Sequence, residues 1–251
     1  MHLKSIAFIA VCGILALTAG CGGGSVKEEV QESYPSGAKK KVILYSGQKS
    51  NLLRETFYFE DGKVQSEKVY KGGQPDSVWT TFNPDGSVYK LTSYANGKKQ
   101  GPEKTWHANG TLKSEAEYAE DLPVGKSVIY FESGKEEVVA NYQDGKKQGE
   151  ETTFYPNGEK KKVSTYAAGD KEGIEQEFFE SGKLSREYTY SKNALNGPYK
   201  TYYKNGKTEE SGTYVNGNYD GKRIMYNEAG RQTADVTYEK GKRIEGTFLG
   251  N

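Results

Sequence analysis

Residues 197–207 read Gly197-Pro198-Tyr199-Lys200-Thr201-Tyr202-Tyr203-Lys204-Asn205-Gly206-Lys207, and eight residues beyond Gly206 stands Tyr214. The same signature recurs along the chain. Glycine stands at 62, 86, 110, 134, 158, 182, 206 and 230, a period of 24 residues without a slip. Each of these glycines is followed after eight residues by a tyrosine, from Tyr70 and Tyr94 through Tyr118, Tyr142, Tyr166, Tyr190 and Tyr214 to Tyr238. Each is preceded by four residues by an aromatic: Tyr58, Phe82, Trp106, Tyr130, Phe154, Phe178, Tyr202 and Tyr226. Such fixed self-similarity marks a repeat architecture, in which each unit buries its apolar surface against its neighbours. Gly37 and Tyr45 keep the eight-residue offset one place out of step, a degenerate unit ahead of eight full ones.

Within a unit the pattern is strand, tight turn, strand. Before the repeating glycine stand pairs such as Glu60-Asp61, Pro84-Asp85, Pro156-Asn157 and Lys204-Asn205. Proline suits the second position of a type I turn and Asp or Asn the third. Glycine then supplies the left-handed residue that closes a three-residue hairpin loop. Such a loop sets Tyr58 opposite Val64, and simple alternation from there places the repeating tyrosine on the same face as the preceding aromatic. The expected sheet therefore has one aromatic face, with Tyr142 and its equivalents as core, and one solvated face of Lys, Glu, Thr and Ser. The residues two before each tyrosine, among them Thr92, Ala116, Ala140, Ser164 and Gly212, leave room for the rings. Two further columns, Gly101 to Gly221 and Gly73 to Gly241, punctuate the units, with Asp121 and Asn193 standing in for two glycines of the second.

These motifs resemble the MORN repeat in its bacterial variant, a glycine, an aromatic, Asn-Gly-Lys and a second strand ending in Tyr-x-x-Gly-Lys. Good copies are Gly197 to Lys207 and the Gly149–Gly158 segment with Phe154-Tyr155-Pro156-Asn157-Gly158. The resemblance covers about residues 34–245 and implies an all-β repeat protein. Its fold would be consecutive antiparallel hairpins forming an elongated, twisted, single-layer sheet, on the order of 80 Å long for strands about 4.8 Å apart. Proteins of this kind are associated with scaffolding near membranes, and the bacterial variant often carries an antitoxin label. An antitoxin or immunity-like role is therefore one expectation, compatible with export if the toxin acts in the envelope.

The amino terminus is read as an address. After Lys4, residues 6–17 carry no charged or polar side chain, too short a run to span a bilayer and suited to a signal-peptide core. It ends in Leu17-Thr18-Ala19-Gly20-Cys21, which resembles a lipobox with leucine one place further from the cysteine than is usual. Residues 1–20 are thus expected to be a lipoprotein signal peptide, and residues 21–33 a lipidated Cys21 with a flexible Gly22-Gly23-Gly24-Ser25 tether. Residues 34–251 form the repeat domain. The other cysteine, Cys12, leaves with the signal, so lipidation uses an otherwise unpaired thiol; cleavage by the general signal peptidase with Cys21 left free is the alternative. With no aspartate just after Cys21, the expected address is the outer membrane, periplasmic or surface-facing.

Composition limits function. The 251 residues include 34% hydrophobic side chains, and the mean hydropathy of -0.85 is too low for a thick globular core. Lys+Arg 35 against Asp+Glu 34 gives +1, and loss of Lys4 brings the balance to zero. No charge field draws nucleic acid or anionic lipid, so membrane contact is expected through the lipid alone. Beyond His2 the chain has one histidine, His107, in a column shared with Phe, Tyr and Asn. A zinc site, a cofactor and a catalytic residue are therefore not expected, and no glycine cluster opens a phosphate-binding helix. Glu67, Glu115, Glu187 and Asp235 recur in one column, read as a solvated face. The aromatics beside the conserved column, Phe131, Tyr155, Phe179 and Tyr203, are the candidate interaction surface. The leading reading is a non-catalytic module that binds a protein partner in the envelope; binding of cell-wall polysaccharide by exposed aromatics is the alternative.

Overall fold

The computed structural model describes residues 25–249 except 48 and 50. Residues 1–20 and Cys21, with the lipid expected on it, lie outside the described residues. All 23 described elements are β-strands joined in one open sheet in which pairing follows chain order. Nine hairpin turns repeat along one edge, each closed by the same two backbone bonds. In the turn at Gly62, Gly62 N donates to Phe59 O at 3.0 Å and Phe59 N to Lys63 O at 2.8 Å. Gly62 has φ +84°, and its equivalents lie between +80° and +98°. This is the expected three-residue loop, with Pro84 and Pro156 at the second position of its four-residue turn and glycine where a side chain would cost about 1–2 kcal/mol.

The register next to the loop is also as expected: Tyr58 pairs with Val64, Phe82 with Val88 and Trp106 with Leu112. One step further the expectation fails. Phe57 pairs with Ser66, leaving Gln65 as an unpaired extra residue, and the same one-residue bulge recurs at Lys161 and Ser185. A bulge reverses the parity of everything beyond it. The repeating tyrosines therefore lie on the face opposite the preceding aromatics. Two sets of bonds fix this assignment. Tyr70 Oη donates to Glu55 at 2.8 Å on one face, whereas Tyr130 Oη donates to Glu115 at 2.7 Å on the other.

Both faces thus carry rings, and the reading of one as merely solvated is corrected. Glu115 and Glu187 are hydrogen-bond acceptors for Tyr130 and Tyr202 rather than free surface carboxylates. The tyrosine face is floored by the column that sequence marked as small: Thr92, Ala140, Ser164 and Val236 are buried. Val42, Thr56 and Val128 are buried on the other face.

The opposite edge of the sheet turns through two-residue loops in which both central residues have positive φ, as in Asn96-Gly97 (51° and 86°) and Lys192-Asn193 (47° and 68°). These are the mirror-image turns that match strand twist. From Asn96-Gly97 onward each turn hydrogen-bonds to the unit before it, Gly97 N to Pro75 O and Gly217 N to Leu195 O among them. Where Asp121 and Asn193 replace glycine, their side chains accept from Lys99 N (2.8 Å) and Lys171 N (2.7 Å).

The segment 21–33 differs from expectation. Val26–Ser33 is a strand paired with Lys39–Ser46, the first arm of a hairpin whose turn holds Gly37. It has a serine where later units have an aromatic, so the repeat signature did not reach it. The degenerate unit is therefore a complete hairpin, and the repeat domain begins at 26 rather than 34.

Candidate functional site

The tyrosine face is a ladder of rings whose surfaces are already covered. Lys99 Nζ sits 4.5 Å from the Tyr118 centroid, and Lys147 and Lys171 lie over Tyr166 and Tyr190 at 4.9 and 4.5 Å. The same lysines pair with the residue four places on: Lys99 with Glu103 at 2.7 Å, Lys147 with Glu151 and Lys171 with Glu175. Towards the carboxyl end, rings replace lysines. Tyr214 lies between Tyr199 (4.9 Å) and Tyr219 (4.5 Å), and Tyr219 reaches Tyr238 at 5.2 Å. Near the amino end Trp79 lies between Tyr70 (5.5 Å) and Tyr94 (4.5 Å).

Carboxylates, one buried and one half-buried, bind this ladder together. Glu175, 4% exposed, accepts from Ser164 Oγ and Lys171 Nζ, each at 2.5 Å. Burial pushes its carboxyl up, but the bonds from Lys171 and Ser164 outweigh that and hold it below the usual carboxylate range. Glu210 is gripped by Arg223 Nε at 2.8 Å and Nη2 at 2.6 Å and by the buried Tyr199 hydroxyl, and it too is lowered. Burial and the bond to Glu210 raise the Tyr199 hydroxyl. These groups satisfy one another and offer no free acid–base pair.

The expected interaction residues lie at the first position of the hairpin turns, half-buried. Tyr155 Oη donates to Phe178 O at 2.8 Å and Tyr203 Oη to Tyr226 O at 2.7 Å. Each hydroxyl thus ties its turn to the next unit. His107 Nε2 does the same, to Tyr130 O at 2.8 Å, which gives that histidine a structural role. Phe131 and Phe179 have no donor, and in their units the staple is a lysine: Lys135 reaches Pro156 O and Asn157 O, Lys183 reaches Lys204 O. Donor-bearing side chains at 107, 155 and 203 come with Asn109, Asn157 and Asn205, whose amides also reach the next turn. The donors at 107, 155 and 203 stand 48 residues apart in the sequence, a series that Phe59 and Asp61 do not extend, and in the Tyr203 unit Lys207 reaches Ala229 O as well.

Tyr155 and Phe179 converge on an open trough of about 440 Å³ on the bulge side of the tyrosine face, which neither Phe131 nor Tyr203 lines. Its floor comes from Thr153, Lys162, Glu177 and Arg186, and the bulge residues Glu137, Lys161 and Ser185 line it as well. A second depression, about 270 Å³, lies beside Phe57, Gln65, Ser66 and Thr81. These positions are those of Thr153, Lys161, Lys162 and Glu177 four repeats earlier. The trough is therefore a property of the bulged repeat, while its side chains change from unit to unit. Alternation alone could not reveal it, because the bulge that forms it has no residue signature in its column. Among the described residues no group of His, Cys, Asp and Glu side chains is placed to hold a metal.

Comparison with known proteins agrees with this geometry. The model of the MORN repeat variant matches residues 53–71, 99–120, 147–168, 171–192 and 195–216. No curated protein matches the chain. Among solved structures, the chain is similar to a chain of the Photorhabdus luminescens Tc holotoxin pore at 11% identity, covering 82% of this chain and 14% of that one with a TM-score of 0.20. It is also similar to a chain of a TcdB2-TccC3-Cdc42 complex at 11% identity, covering 87% and 18% with a TM-score of 0.15. The chain thus spans less than a fifth of the length of either structure, and scores this low carry no argument about fold or function. With five matched segments lying in register on a sheet of nine like hairpins, this chain belongs to the MORN repeat variant family.

Proposed function

We propose that the protein is a non-catalytic interaction module, held at a membrane of the cell envelope by a lipid on Cys21 and binding a protein partner across its repeats. The observation that carries the binding half is the trough, built at the same repeat positions in separate units but decorated differently. A fixed geometry with variable side chains suits recognition. The polysaccharide alternative is less well served, because stacking on a sugar needs an open ring face. The tyrosines of the ladder spend theirs on lysines and on one another, and of the four candidate aromatics Tyr155 has Lys161 over its ring.

The anchoring half rests on Leu17-Thr18-Ala19-Gly20-Cys21. With Val26 already in the sheet, the link from Cys21 is five residue steps, at most about 18 Å of extended chain. The lipid would then hold the sheet by its first strand, close to the bilayer, and the expected partner is itself in the envelope. An envelope-acting toxin neutralised in an immunity-like manner is one form such a partner takes.

Two measurements test the reading. Metabolic labelling with a radioactive fatty acid should mark the wild type and not Cys21→Ser, and the variant should leave the membrane fraction; equal labelling of both would refute the anchor. Full-length protein used as bait against detergent-solubilised envelope, and separately against isolated cell-wall polysaccharide, should retain a stoichiometric protein. Retention on polysaccharide alone would replace the partner reading with the alternative.

A further inference from the structure

The trough between Glu137 and Arg186 has a length, a direction and a charge. It crosses the strands Glu136–Gln143, Gly149–Phe154, Lys160–Ala167, Gly173–Phe178 and Leu184–Ser191. Four inter-strand spacings of about 4.8 Å give it roughly 19 Å, the span of about six residues of extended peptide at about 3.3 Å each. Tyr155 and Phe179 form its wall at the turn edge. Lys161, Lys162 and Arg186 line it against Glu137 and Glu177.

Those cations are weakly committed. Among the described residues no carboxylate lies within 4.0 Å of the Lys161 or Lys162 ammonium. Lys161 instead hangs over the Tyr155 ring, 5.7 Å from its centroid, and Arg186 meets Glu177 only at 3.5 Å. This contrasts with the ladder beside it, where Lys147 and Lys171 are each held by their own glutamate. Nor does the bulge require the charges: the equivalent trough carries Gln65 and Ser66 in place of Lys161 and Lys162.

From this charge and shape we infer that the trough at 137–186 takes an extended, acidic peptide segment of the partner. Its carboxylates lie over Lys161, Lys162 and Arg186, and its apolar side chains lie against Tyr155 and Phe179. The inference rests on the partner reading above and names the chemistry of what that partner presents.

The test uses the full-length chain in detergent and fluorescein-labelled peptides of about eight residues, enough to cross the trough, alternating alanine with glutamate, lysine or serine. Fluorescence polarisation should show binding of the glutamate peptide alone, weakened by salt. The pair Lys161→Glu with Arg186→Glu should weaken it by about tenfold or more, and the milder pair Lys161→Gln with Arg186→Gln should weaken it as well should the reversal unfold the sheet. Gln65→Lys with Ser66→Lys should add a second equivalent of glutamate-peptide binding. Absence of binding, equal binding of glutamate and lysine peptides, or binding indifferent to both pairs of substitutions would overturn the inference. Wild type and reversal variant used as envelope baits separate the two readings. A protein captured equally by both overturns the trough as its site and leaves the partner reading standing; peptide binding with no captured protein does the reverse.

Discussion

The assignment of the two aromatic columns to opposite faces is tested by double-mutant cycles within one stretch of sheet. Tyr214 packs against Tyr219 at 4.5 Å, whereas Tyr202, in the same hairpin, reaches Glu187 on the other face at 2.8 Å. A half-buried tyrosine removes roughly 100 Å² from water, so each single replacement by alanine should cost about 2–3 kcal/mol at about 25 cal/mol/Å². The pair term separates the two arrangements. Tyr214→Ala with Tyr219→Ala should show a coupling of about 0.5–1.5 kcal/mol, the value of a packed aromatic pair. Tyr214→Ala with Tyr202→Ala should be additive within about 0.5 kcal/mol, because the rings share no partner. The assay is equilibrium urea unfolding followed by circular dichroism. If the Tyr202–Tyr214 cycle couples as strongly as the Tyr214–Tyr219 cycle, the two columns share a face and the register described above is wrong.

Three more outcomes are expected. Gly212→Ala should destabilise by about 1–3 kcal/mol, since the new Cβ would stand 2.8 Å from Tyr199 Cε1; a melting temperature equal to wild type would mean that Tyr199 does not lie over that position. Ala168, held at φ +52° in its two-residue turn, should yield a more stable protein as Ala168→Asn, by up to about 1 kcal/mol, and thermal melting reads the sign. The third concerns pH. Glu55, Glu103, Glu175 and Glu210 sit below their ordinary value of 4.5 in the folded chain, so they bind fewer protons folded than unfolded. Their stabilisation is complete above that value and is lost as pH falls through the folded values. At the alkaline end, burial and the bonds their hydroxyls donate to Glu115 and Glu187 push Tyr130 and Tyr202 from 10.0 up to about 12, so stability is lost again as pH rises through that range. A melting temperature flat between pH 7 and 3 would contradict the acid limb, and Glu175→Gln should make that limb shallower.

What sequence made legible was whatever a single column could encode. The 24-residue period, the turn at Gly62 and its copies, and the Tyr58–Val64 pairing each follow from residue types with specific backbone needs, and each stands in the structure. The error in facing came from the bulge at Gln65, whose column holds Tyr89, Lys113, Glu137, Lys161 and Ser185. Nothing in that set demands a bulge, yet it is the bulge that turns the tyrosines towards the rings and lysines of the neighbouring strands. The strand at Val26–Ser33 was missed for a related reason, since it pairs by backbone bonds and has only Val26 and Val30 as bulky apolar side chains. Of the four aromatics chosen for exposure, Tyr155 and Tyr203 proved to be partly occupied in joining turns, a use of the hydroxyl that Phe131 and Phe179 cannot share.

A single-layer sheet has no second layer to cover its rings, and this chain meets that need with its own long side chains. Lysine stems lie across tyrosines, their ammonium groups over the ring and on a glutamate at once, as at Lys171, Tyr190 and Glu175. Where the lysine is replaced by Tyr219, the ring takes over and Arg223 covers it at 4.9 Å. The middle of the tyrosine face is therefore committed to holding the sheet together in every unit, and little of it can vary without loss of stability. The bulge releases the neighbouring strip from that duty. At the trough the bulge residue varies from Gln65 to Tyr89, Glu137 and Lys161, because it has no cross-strand partner and no ring of the ladder to cover. Recognition is thus most economically placed there, beside the ladder rather than on it, and a change of partner would be written first in the bulge column and in the residues beside it.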